Sequence, residues 1–269
     1  MGTVLVVAWI ATALVVFVVV RATARHLDQR PFVKYGFRIS REWWADLIAG
    51  IVLGSLTIVM TFLVSYRFGW LILPEGGLMI GSVSPVWLSA FFIGFIAVAF
   101  WEELVFRGVF MINGIEGLTE RGHSRVPAAL FALIGSSVVF ALINVPGAVS
   151  EGHSAWFTAL WTLSAGLLWG VAYLLTGELA LPIGLHLGFN YVSSNVFGIN
   201  GVAELEGVPT VFVVESTTTG LTAPMSGIPI IVSNVFGIVL VICWCYWRGG
   251  SLTFSLGTLQ PRTDSQPAL

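Results

Sequence analysis

Residues 85–111 read PVWLSAFFIGFIAVAFWEELVFRGVFM, with no ionisable side chain before Glu102. A spanning helix needs about 20 largely apolar residues. This stretch therefore reads as a transmembrane helix that carries Glu102, Glu103 and Arg107 into the hydrocarbon. Six further apolar runs meet the same criterion: 3–20, 44–64, 126–146, 154–175, 178–198 and 228–247. The expectation is an all-α, polytopic membrane helical bundle of about seven transmembrane helices. Membrane-spanning strands are excluded because an open sheet edge in lipid leaves backbone groups unpaired, and no ten-residue alternating pattern of a barrel is present.

Composition agrees. The 269 residues are 57% hydrophobic and 10% charged, with mean hydropathy +0.92, whereas charged residues run near a quarter of an ordinary soluble chain. A formal charge of -2 supplies no basic surface, which excludes nucleic acid as a partner. Cys243 and Cys245 stand at CxC spacing in an apolar run and read as core thiols, since two cysteines build neither a disulfide framework nor a four-ligand zinc site.

Three regions are expected: 1–84 with the first helices and a basic loop, 85–200 as a catalytic core, and 201–269 with a loop, the last helix and a mobile tail from 249. Ten of the twelve Lys and Arg side chains fall in alternate loops and the tail, six of them between Arg21 and Arg41. By the positive-inside rule the N-terminus lies outside, the C-terminus in the cytoplasm, and the cell membrane is the expected location. Residues 1–24 read as a retained helix, because no base precedes the apolar run as in a signal peptide. Loop 199–227 reads as polar and external. Gly50/Gly54, Gly166/Gly170 and Gly184/Gly188 are small-residue pairs that let helices pack closely in lipid.

Ionisable side chains inside spans are costly and mark functional candidates. Glu103 and Arg107 are four apart with the acid first, the favourable order for an ion pair on one helix face. Glu102 lies about 100° around the helix from Glu103, so its presence calls for a general base, an interhelical hydrogen bond or a protonated carboxyl. His186 and Asn190 share one face, with Gly184 and Gly188 roughly opposite. Asn144 follows Phe140 on the fourth span. Asp46 and Glu178 sit at span ends, within reach of water or headgroups. His26, His123 and His153 fall in loops, no HExxH is present, and Ser136 and Ser137 lack a G-x-S-x-G elbow.

Glu102-Glu103…Arg107, Phe140…Asn144 and His186…Asn190, in this order on separate apolar segments over residues 85–200, resemble the CAAX-protease and bacteriocin-processing (Abi) family of intramembrane glutamic endopeptidases. The family pattern is EExxxR, FxxxH and HxxxN, so Asn144 stands where histidine is usual. The resemblance implies a peptide or protein substrate, lipidated or not, reached in membrane lipid, and no metal or other cofactor. It makes Glu102 the base that activates water, Asn144 a group that holds the water, and His186 with Asn190 the oxyanion site. Proton-coupled transport through Glu102, or a scaffold of the same fold, is the alternative reading. Hydrolysis is expected near the cytoplasmic side, with Glu102 about 14 Å and His186 about 12 Å from that end of their spans. Asn144, about 27 Å from its end, fits only if the fourth helix is offset or tilted.

Overall fold

The computed structural model describes residues 1–79, 81–150, 154–250, 252 and 254. Its helices are α1 (Gly2–His26), α2 (Arg41–Arg67), α3 (Pro85–Glu103), α4 (Ile112–Glu120), α5 (Arg125–Ser150), α6 (Ala155–Thr176), α7 (Ala180–Tyr191) and α8 (Ile228–Gly249). A π-helical segment, Leu104–Met111, joins α3 to α4 without a break, so Pro85–Glu120 is one rod; a second, Val192–Val196, prolongs α7. The described residues thus form seven rods. Six are long and apolar enough to cross a membrane; α7 with its extension is shorter, about 25 Å. Apolar side chains such as Val4, Leu14, Ile93, Leu142 and Trp247 point outward, as lipid requires.

Two ends can be told apart by what binds there. At one, the N-terminus meets the loop after α7, since a Cβ on Gly2 would lie 2.6 Å from the Gly207 carbonyl oxygen. There β1 (Leu71–Ile72) pairs antiparallel with β2 (Glu215–Ser216), and the Met79 N–H bonds the Val211 carbonyl at 2.8 Å. The loop read from sequence only as polar is therefore tied in place. We call this the N-terminal face. At the opposite, basic face, Arg30 bonds Glu116 and Asn113, Arg38 pairs with Glu178, and the Leu179 N–H donates to the Gly36 carbonyl at 2.9 Å. Asp46 departs from expectation. It is buried rather than wetted, holding Trp244 Nε1 at 2.9 Å and Arg248 at 3.1 Å. His26 likewise ends α1 rather than lying in a loop, while His153 and the tail, apart from Gly249, Gly250, Leu252 and Phe254, lie outside the described residues.

The tightest seam joins α2 to α7. A Cβ on Gly54 would sit 2.1 Å from the Leu185 carbonyl oxygen, and one on Gly188 2.2 Å from that of Ile51. Only glycine permits this approach, and in lipid close backbone packing replaces the hydrophobic drive between helices. The seam also fixes the rotation of α7, turning the opposite face, with His186 and Asn190, inward.

Candidate active site

The acids arrive on the end of α3 where α-helix gives way to π-helix. The wider winding frees backbone groups, a feature frequent at functional sites. Here Ser136 Oγ of α5 donates to the Phe106 carbonyl at 3.0 Å. Ser137 Oγ likewise donates to the Leu133 carbonyl at 2.8 Å, so both hydroxyls are spent on backbone.

Behind the site lies a buried ion network. Glu103 and Arg107 are fully buried and 3.1 Å apart. Arg107 also donates to the Gly166 carbonyl at 2.9 Å, and its guanidinium stands 5.3–5.9 Å from the ring centroids of Phe106, Phe140 and Trp169. His186 bridges the two acids. Its Nδ1 is 2.9 Å from Glu103 Oε1 and its Nε2 is 3.6 Å from Glu102 Oε2. Glu103 and Arg107 offset each other's charge, which a low-dielectric interior requires of a buried ion. The Trp169 ring stacks on His186 at 3.9 Å, and Phe140 meets the imidazole edge-on. With its Nδ1 on Glu103 and its plane on Trp169, His186 has one direction left for Nε2.

That direction is a cavity of about 370 Å³ whose walls include Glu102, Asn144, His186 and Asn190. Glu102 is 16% exposed, in contrast to its buried neighbour Glu103. Asn144 spends one amide N–H on the Phe140 carbonyl at 2.8 Å, leaving Oδ1 to accept. Among the described residues, no group of three or more His, Cys, Asp or Glu is disposed to hold a metal ion.

The depth conflict at Asn144 has a structural cause. The third span does not stop at residue 111; it continues to Glu120. Counted from there, Glu102 is about 27 Å from the basic end, and Asn144, counted from Arg125, about 28 Å. The two antiparallel rods match. α7 instead begins part-way along the bundle, at the level of Tyr35 and Gly108, where a Cβ on Gly108 would touch Leu179 and Tyr35. From that level Glu102 and His186 both rise about 10 Å.

The cavity lies toward the N-terminal face of the bundle. Apart from the site residues, the cavity is walled by Trp9, Phe95, Val98, Gly147 and Thr158, and roofed by Asn200, Val202 and Ser226 of the N-terminal face. On the other side of Glu102 the interior is closed by Glu103, Leu104, Arg107 and Met111, all fully buried. The sequence reading ended the third span at residue 111, nine residues before the rod ends at Glu120.

Sequence reading did not find Trp169, the Gly166 carbonyl or the roof residues. A tryptophan between Gly166 and Gly170 looks like packing until His186 is placed on it. Residues 83–192 match the family model of Rce1-like type II CAAX prenyl endopeptidases. No curated protein and no solved structure matches the chain.

Proposed function

We propose that this chain, whose residues 83–192 form a Rce1-like type II CAAX prenyl endopeptidase domain, is an intramembrane endopeptidase in which Glu102 activates water. The observation that carries the reading is the convergence of Glu102, Asn144, His186 and Asn190 on one cavity. Glu102 takes a proton as the water oxygen attacks the substrate carbonyl carbon. Asn144 Oδ1 accepts the water's other hydrogen. The negative charge that develops on the carbonyl oxygen is met by His186 Nε2–H and the Asn190 amide, donors fixed before reaction. Collapse of the tetrahedral intermediate breaks the C–N bond, and Glu102 returns its proton to the departing amine.

Glu103 acts through others: it holds Arg107 and, through Nδ1, fixes the His186 ring so that Nε2 faces the cavity. A deletion strain complemented by wild type or by Glu102→Gln tests the reading. Peptide termini in the membrane proteome that depend on Glu102 are expected. A complete absence of such termini, with both proteins present at equal level, favours transport or a scaffold role.

A further inference from the structure

The cavity that holds Glu102 has a direction, and the basic side chains of the chain have another. Beyond the four site residues and the Phe140 and Trp169 rings that pack on His186, the cavity is walled from the half of the bundle toward the N-terminal face: Trp9 near the start of α1, Phe95 and Val98 before Glu102, Gly147 after Asn144, Thr158 at the start of α6, and the roof. Toward the basic face α5 packs on α4 and on the π segment, with no comparable packing on α3 toward the N-terminal face, so the two rods part above Glu102 and leave the cleft between them. A second cavity of about 410 Å³ lies wholly on the same face. It is bounded by Leu71, Phe157 and the hydroxyls of Ser216 and Thr218, and it shares Ile199, Met225 and Ser226 with the first. The shared wall sets the two spaces side by side.

The opposite face is sealed. Tyr35, Gly108, Met111, Tyr173 and Leu179 are buried there, and the first loop is strapped to α4 by Arg30, Asn113 and Asp28. Among the described residues this sealed face carries nine of the chain's twelve Lys and Arg side chains, while among the loops of the open face only Arg67 is basic and Glu75, Glu206 and Glu215 are exposed. Loops rich in Lys and Arg stay in the cytoplasm.

We infer that the site is entered from the non-cytoplasmic side, through the vestibule between loop 198–226 and the start of α6, and that its substrate is a peptide segment presented at the outer surface of the membrane, not in the cytoplasm. The vestibule suits an extended chain. The Ser216 and Thr218 hydroxyls, which donate to the carbonyls of Thr218 and Thr222, keep their oxygens to accept from the N–H groups of a peptide backbone whatever its side chains, and the Met225 and Ile199 wall leads the chain on to the carboxylate. The substrate class rests on the proteolytic reading; the sidedness does not.

Single cysteines placed in a Cys243→Ser, Cys245→Ala chain test it. In intact cells a membrane-impermeant maleimide is expected to label Ser226→Cys and to leave Lys34→Cys unlabelled until the cells are opened. Labelling of Lys34→Cys from outside, or of Ser226→Cys only in inside-out vesicles, overturns the proposal. So does a Ser226→Cys that reacts from neither side while Lys34→Cys reacts from within. Where the cysteine-free chain does not accumulate, a reporter fused after residue 260 of the native chain reads the same orientation, and an external reading overturns it. The termini that depend on Glu102 separate the two layers. If they map to outer-surface segments, both stand; if they map to cytoplasmic segments, proteolysis stands and the entry proposal falls. If none exists, proteolysis falls and the labelling alone decides the entry side.

Discussion

Replacing Glu103 by glutamine removes one charge from a network with no water to replace it. Glu103 is fully buried and its Oε1 serves both Arg107, at 3.1 Å, and His186, at 2.9 Å. Glutamine keeps the size and one acceptor oxygen, but Arg107 is left with only the Gly166 carbonyl and three aromatic faces. Breaking a buried ion pair on one side costs about 3–5 kcal/mol. The aromatic faces return on the order of 1 kcal/mol, so a net loss of about 3 kcal/mol is expected. For a chain of this size that lowers the unfolding midpoint by roughly 6–12 °C, read by thermal unfolding in detergent. Arg107→Met in the same chain removes the orphaned cation and should recover most of the loss. Glu102→Gln, at a partly exposed group whose nearest ionisable partner is His186 at 3.6 Å, should change the midpoint by less than about 3 °C, the scale of 1 kcal/mol. A Glu103→Gln midpoint within 3 °C of wild type, or a double variant no better than the single one, refutes the reasoning.

Four further outcomes follow from particular contacts. Gly188→Leu should prevent α2 and α7 from closing and abolish a folded detergent peak in size-exclusion chromatography. Gly117→Ala, on α4 with its nearest neighbour the end of the Arg121 side chain, should be neutral or stabilising by up to about 1 kcal/mol. Burial and the hydrogen bond to Asp28 push the Tyr35 hydroxyl above its ordinary pKa. Its contribution to stability is therefore complete below about pH 10, the ordinary tyrosine range, and is lost as pH rises beyond it; a melting series from pH 8 to 11 should fall more steeply for wild type than for Tyr35→Phe. Asn144→Ala should slow hydrolysis without moving its low-pH ionisation, and Asn144→His should keep activity and add a histidine-like one; a folded Asn144→Ala at the wild-type rate would make Asn144 packing alone.

The spans were legible because hydrocarbon imposes its thickness on the sequence, and Glu102, His186 and Asn190 stood out because charge and amides are expensive there. What escaped reading has physical causes. Asn113, Glu116 and two glycines after residue 111 look like the end of a span, yet Arg30 and Asp28, more than eighty positions away, supply their partners and let the helix run on to Glu120. That one boundary made Glu102 look about 14 Å rather than about 27 Å from the basic end, and so set it apart from Asn144. The π winding after Glu103 has no composition of its own, and it changes which groups face α5. Asp46 looked wetted because its partners, Trp244 and Arg248, come from the far end of the chain.

The central claim is that one carboxylate, Glu102, activates the attacking water. The direct measurement is the single-turnover rate of purified wild type and Glu102→Gln, at equal thermal stability, on a peptide spanning a cleavage position found in the Glu102-dependent proteome. Loss of a general base lowers the rate by about 10²–10⁴-fold, and a fall in that range is predicted. A folded Glu102→Gln within about threefold of wild type, well inside that range, would contradict the account.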